Sequence, residues 1–227
     1  LMSQCAILLY AGLAVWVMVL LPPETPFFRW FFDLWGGRGS YNLGGAWHWP
    51  SVLRLYLVLP LALYGPPTVL MGFSFVALQR AVQDDARRSG RRVGVLQAAN
   101  ILGCVAGSLL VGLVALSWLG SAGTLRVLAV TGAGLALLGL GLGEGRRLFA
   151  TLAAALIALA LALPGEQALW RRLHGMADRD RAEAGEDATG VVLVSEHDRG
   201  LRRVWVNGRH HSVLPFGGIH TALGAAP

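Results

Sequence analysis

The sequence predicts a mainly α-helical membrane protein, with about five transmembrane helices followed by a small, incomplete antiparallel β-sheet segment. Three observations predict this class. Of the 227 residues, 55% are hydrophobic and only 14% charged, whereas ordinary soluble domains carry about 25% charged residues. Uncharged apolar runs recur, separated by short Arg-bearing loops, and a helix needs about 20 such residues to cross roughly 30 Å of hydrocarbon. After Pro164 the composition turns polar, and apolar residues then alternate as in half-buried strands.

Residues 1–164 form the expected transmembrane region. Its first span is 5–21, "CAILLYAGLAVWVMVLL". The second, 55–78, contains Pro60, Pro66 and Pro67, which should kink or break it. The third is 93–119. The fourth and fifth, 127–142 and 148–163, are shorter and wholly apolar. Between the first two spans, "PPETPFFRWFFDLWGGRGSYNLGGAWHWP" mixes Phe and Trp with Gly, Pro and isolated charges. That mixture suits the headgroup boundary, and His48 between two Trp residues reads as interfacial. The loop "RAVQDDARRSGRR" is the most basic one, which places it in the cytoplasm, and "GEGRR" at 143–147 falls on the same side by parity. The side of the chain after Pro164 stays open, because long tails do not follow the charge rule.

Residues 165–189 read as a linker or amphipathic helix that becomes a loop near Gly185. Residues 190–227 read as the start of a β-domain, with strands 191–196 and 201–206, a turn at "HDRG", and a tight type I′ turn at Asn207-Gly208. The chain opens at Leu1-Met2 without a basic n-region or a cleavage site, and it looks like an excerpt of a longer protein.

Within the spans, Gly103, Gly107 and Gly112 give a small-residue pattern that permits close helix contact, and Asn100 lies one turn before Gly103. These four are expected to pack helices. "GLGLGEG" at 139–145 ends an apolar span and follows no soluble strand, so it reads as helix packing and a break. Cys5 and Cys104 lie in apolar runs without redox or metal spacing. His210 and His211 are adjacent, and on a strand they point to opposite faces, so no metal site is expected. A net charge of +6 comes without a basic stripe interleaved with aromatics, and nucleic acid is not an expected partner.

Two blocks, "PPTVLMGFSFVALQR" and "GRRVGVLQAANILGCVAGSLLVG", resemble the membrane part of bacterial spermidine synthase-like proteins. In that family, membrane helices precede an aminopropyltransferase domain that opens with a small β-sheet. The tail is similar to that opening. Asn207-Gly208 match its turn, and His220 matches the His at the start of its first helix. His211 stands where the family usually has Gln, and Ile219 replaces the Tyr before His220. Phe216-Gly217-Gly218 replace an acidic pair, and Val76 stands where relatives tend to carry Pro.

The resemblance implies a polyamine-type transferase using decarboxylated S-adenosylmethionine as co-substrate. It marks His211 and His220 as substrate-side residues, and it implies a multi-pass location in the bacterial inner membrane. The departures make a non-polyamine substrate the expectation. No residue here is assigned catalysis and no cofactor site is expected, because the Gly-rich cradle of an adenosyl donor is not found among these residues. The expected function is therefore membrane anchoring for such an enzyme. Two alternatives remain open, part of a transporter or a membrane interaction scaffold. The expected partners are the lipid bilayer and, as an open choice, further copies of the chain.

Overall fold

The computed structural model describes residues 1–21, 53–82, 89–142, 145–176, 181–187, 189–196 and 200–215. The chain is mainly helical with one antiparallel sheet. It divides into two compact units, Leu1–Trp16 with Val58–Leu163, and Val17–Leu57 with Pro164–Pro227.

In the first unit, α1 is Met2–Leu20, α2 is Leu59–Val82, α3 is Ser89–Leu109, α4 is Leu116–Leu140 and α5 is Arg146–Ala162. A π-helical turn, Arg54–Val58, leads into α2, and another, Leu110–Ala115, joins α3 to α4. Among the described residues three helices are long and apolar enough to cross a membrane: Met2–Leu20, Tyr56–Val82 and Gly90–Leu140. A fourth exists only if α5 and the next helix, Glu166–Leu173, are taken as one broken span. The expectation of about five spans is therefore corrected. The third and fourth expected spans lie on one helical run, and α5 has only 17 residues, about 26 Å of rise. The run is interrupted at Gly120, whose φ of 64° and ψ of −178° leave the helical region. Only glycine adopts that conformation without strain.

The prolines do not break α2. Pro66 lacks the N–H that would bond the carbonyl of Ala62, four residues back. The Tyr10 hydroxyl of α1 donates to that carbonyl instead. In an apolar surrounding this substitute bond is what lets the helix continue.

The core of the unit lies where α1, α4 and α5 meet: Cys5, Ala129, Ala133, Ala136, Phe149, Ala153 and Leu156 are buried together. On α4 the buried residues are all small, and those at positions 129, 132, 133, 136 and 139 repeat at one helical face. A Cβ on Gly132 would lie 3.1 Å from side-chain atoms of both Leu156 and Leu8. A Cβ on Gly139 would meet the Phe149 ring, 2.7 Å from Cζ. Small residues thus bring backbones close, the usual way membrane helices associate. The Cys5 thiol also reaches the Gly132 carbonyl at 3.6 Å.

In the second unit, α6 is Glu166–Leu173, β1 is Ala182–Glu186, β2 is Val191–Glu196, β3 is Arg202–Val206 and β4 is Arg209–Leu214. The sheet is antiparallel in the order β1-β2-β3-β4. On β2 the side chains of Val191, Leu193 and Ser195 turn inward and alternate with less buried ones. Leu193 packs with Met176 and Ala184, against Trp170 of α6 and Trp205 of β3. Asn207 and Gly208 have φ of 49° and 78°, the left-handed pair of a type I′ turn.

Residues 165–189 contain a helix, α6, in line with the expectation of a linker or amphipathic helix, but where a loop near Gly185 was expected they form the edge strand β1. Ala, Glu and Gly have low strand propensity, and tertiary pairing overrides it. β1 pairs with β2 through Ala184 and Leu193. Gln167 of α6 then closes the outer edge of β1, donating to the Ala184 carbonyl at 2.6 Å and accepting from its N–H at 2.8 Å.

Two substitutions test this packing in detergent. Tyr10→Phe leaves the Ala62 carbonyl without its substitute bond, and thermal stability is expected to fall by about 1 kcal/mol. Gly139→Val overfills the contact with Phe149 and is expected to cost about 1–3 kcal/mol. Unchanged melting in both variants contradicts the arrangement.

Candidate functional site

The polar features of the second unit gather at two places. At one end of the sheet, a concavity of about 360 Å³ is lined by Gly185–Asp187, Thr189–Val192, Val206 and Asn207. Its shape comes from local chemistry. Asp187 Oδ1 accepts from the Thr189 N–H at 2.7 Å, the Thr189 hydroxyl at 2.6 Å and the Gly190 N–H at 3.0 Å. This is a side-chain-closed turn of the kind Asp favours. The same bonds hold the Asp187 carboxyl below its ordinary range, with the Thr189 hydroxyl as the largest cause. Across the concavity, Asn207 donates its N–H to the Val191 carbonyl at 2.8 Å, and its Oδ1 accepts from the Val191 N–H at 2.9 Å. Asn207 therefore both makes the turn and extends the ladder. Glu186 on the rim accepts from Trp170 Nε1 at 2.8 Å.

The second place is His174, just after α6. Its ring stands edge-on to Trp170 and to Trp205, each with centroids 6.2 Å apart. Nδ1 lies 2.7 Å from the Trp170 carbonyl. Nε2 is buried without a partner among the described residues. Burial pushes the imidazole below its ordinary value, against a smaller opposing effect of the Trp170 carbonyl. The group is held neutral between two indoles, which suits it to packing the unit.

Neither place joins a nucleophile to a base, and among the described residues no group of three or more His, Cys, Asp or Glu could hold a metal ion. His211 lies on β4 with its side chain exposed. His220 lies outside the described residues. Asn100, Gly103 and Gly107 lie on the exposed surface of α3, and Gly112 lies in the following π-helical turn. A Cβ on any of the three glycines meets nothing within 4 Å. In the helical unit the glycines in close contact include Gly123, Gly132 and Gly139 of α4 and Gly12 of α1, where a Cβ would crowd Leu159. Cys104 is exposed, whereas Cys5 is buried.

Sequence reasoning missed Arg126. It lies inside α4, where it donates through Nη2 to the Leu163 carbonyl at 2.7 Å and so caps the end of α5. Its signal was available, since it is the one charged residue between Val93 and Leu142. Gln167 gave no comparable signal, because its partner is backbone set by tertiary contact.

Comparison with protein-family models, curated proteins and solved structures finds no match to this chain.

The depressed His174 value sets a pH dependence. Below the ordinary His value of about 6.5, the unfolded chain binds a proton that the fold resists. Stability is therefore complete above that value and falls as the pH drops toward the lower folded value. Limited proteolysis beyond Pro164 is expected to accelerate between about pH 7.5 and pH 5. His174→Phe should flatten that dependence, and an identical slope in the variant counts against it.

Proposed function

We propose that this chain is the multi-pass membrane anchor of a spermidine synthase-like protein of the bacterial inner membrane. In this reading it presents its small sheet as the opening of an aminopropyltransferase-family domain. The observation that carries the anchoring is the exposure of large apolar side chains along helices with nothing against them. No residue of α2 is buried. Trp118, Phe73 and Leu61 are 83%, 70% and 64% exposed. Soluble monomers rarely leave contiguous apolar patches beyond a few hundred Å², and lipid removes that cost.

The family reading is supported by the two membrane blocks around Pro66 and Gly103 and by the Asn207-Gly208 turn, which falls between two antiparallel strands. Transfer of an aminopropyl group from decarboxylated S-adenosylmethionine to an amine requires a cradle for the adenosyl donor and a carboxylate near the amine. Among the described residues all strands pair antiparallel, and no strand–turn–helix cradle is formed. The chemistry in this reading belongs to a further domain. His211, exposed on β4, is placed on the substrate side only through the resemblance.

A transporter reading draws on one observation, the helix break at Gly120 beside Arg126. Transport sites gather polar groups near mid-depth, whereas Arg126 stands about 24 Å of helical rise from Leu142, near the far boundary. Anchoring fits better.

Alkaline washing of membranes that contain the chain tests the anchor, and the chain is expected to stay in the pellet until detergent is added. Purified in detergent and given decarboxylated S-adenosylmethionine with an amine, it is expected to show no turnover. Release by the wash contradicts the anchor, and turnover contradicts the assignment of chemistry elsewhere.

A further inference from the structure

Along β1 the backbone groups alternate between β2 and the outer edge of the sheet. The Arg181 carbonyl accepts from the Glu196 N–H at 2.9 Å, and the Asp187 N–H donates to the Gly190 carbonyl at 3.0 Å, both on the side of β2. Ala184 points the other way, because its N–H and its carbonyl both meet the Gln167 side chain. By the two-residue repeat of a ladder, Ala182 and Glu186 also turn their backbone groups outward. Among the described residues no strand pairs with that side of β1.

A carboxamide that donates to and accepts from one residue offers what a residue of a neighbouring strand would offer. Gln167 thus stands where the central residue of an added strand would stand. Sheet edges invite such a strand, and the sequence of β1 matches its own. Only one antiparallel register between two copies of β1 pairs all three outward residues, and it is centred on Ala184. It sets Ala182 opposite the partner's Glu186. On the exposed face it sets Glu183 opposite the partner's Gly185 and Arg181 opposite the partner's Asp187. Sliding one strand by two residues puts Glu183 against the partner's Glu183 in one direction and against the partner's Asp187 in the other. Like charges directly opposite are unfavourable, so charge selects the centred register.

Arg181 can turn to that partner at little cost. Its contact with Glu196 spans 3.8 Å, with the Arg181 side chain 84% exposed, a pair of small energetic weight. The turn bonds of Asp187 all fall on Oδ1.

We propose that the outer edge of β1 receives β1 of a second copy of this chain, antiparallel and centred on Ala184, and that Gln167 is the latch competing for the same backbone groups. The contact is two-fold symmetric and closes on itself, so it makes a dimer and not a fibre. Displacing Gln167 in both copies gives up its bonds to Ala184 and gains those of the strand pair, with two Arg181–Asp187 contacts. The inference does not depend on the anchoring reading.

Disulfide formation between full chains in detergent, in a Cys104→Ser background, tests it. Directly opposite residues at a pair without ladder bonds stand about 4.5 Å apart at Cα, within disulfide reach. Glu183 and Gly185 are both exposed, and a Cβ on Gly185 meets nothing within 4 Å. A mixture of Glu183→Cys and Gly185→Cys chains is expected to form the mixed disulfide several-fold faster than either chain forms its own. Gln167→Ala is expected to raise the mixed yield about tenfold, and Arg181→Glu added to it to cut that yield about fivefold. Equal rates for mixed and single chains overturn the proposal, as does an unchanged yield in a folded Gln167→Ala. If Gln167→Ala loosens the unit, seen as fast proteolysis beyond Pro164, Arg181→Glu in the chain that keeps Gln167 carries the test. It should lower the mixed yield about fivefold, and an unchanged yield overturns the proposal. A peptide of residues 181–187 is expected to suppress the disulfide. Suppression by a peptide of residues 209–214 alone would assign the edge to a strand like β4 and overturn the pairing of β1 with itself.

Discussion

A backbone carbonyl without a partner is costly in an apolar medium, and much of this helical unit follows from how two such oxygens are met. Pro66 strips the Ala62 carbonyl of its intrahelical donor, and Tyr10 of α1 supplies another. The end of α5 exposes the Leu163 carbonyl, and Arg126 of α4 reaches it. Each bond ties two helices at a point where one alone would be unsatisfied. In the proposed membrane setting no alternative donor is at hand, and these pairings would fix the positions of α1 against α2 and of α4 against α5.

Side-chain size completes the arrangement. Small residues allow close van der Waals contact between helices, the contact that would hold them together in the proposed lipid setting. The α4 face of Ala129, Gly132, Ala133, Ala136 and Gly139 admits Phe149 and Leu156 for that reason. Two stripes of small residues are visible in the sequence, one on α3 and one on α4. Only geometry shows that the α4 stripe meets a neighbour while Gly103 and Gly107 face open space. Composition specifies a capacity for contact, and the partner depends on loop lengths and on the turn at Gly145, which has a φ of 70°.

The strands were more legible than the helix junctions. Val191–Glu196 announces itself by alternation, and Asn207-Gly208 by turn chemistry, because both signals are local. β1 was illegible: Ala182–Glu186 carries no strand propensity and is held by Gln167 and by pairing with β2. The helical run from Ser89 to Leu140, interrupted at Gly120, was hidden for the opposite reason. Its polar stretch around Ser121 and Arg126 looks like a loop, whereas only Gly120 departs from helix. Of the residues marked as sites, His211 lies on an exposed strand face. The groups with shifted proton affinity in this unit, His174 and Asp187, owe it to burial and turn hydrogen bonds that single residues do not announce.

On the proposed reading, lipid is the medium against which the bare apolar faces rest. A nitroxide attached at Phe73→Cys, on the exposed surface of α2, in a Cys104→Ser background in vesicles, measures that medium directly. Relaxation by molecular oxygen, which concentrates in hydrocarbon, is expected, together with protection from a water-soluble nickel complex. Strong relaxation by the nickel complex with little by oxygen contradicts it.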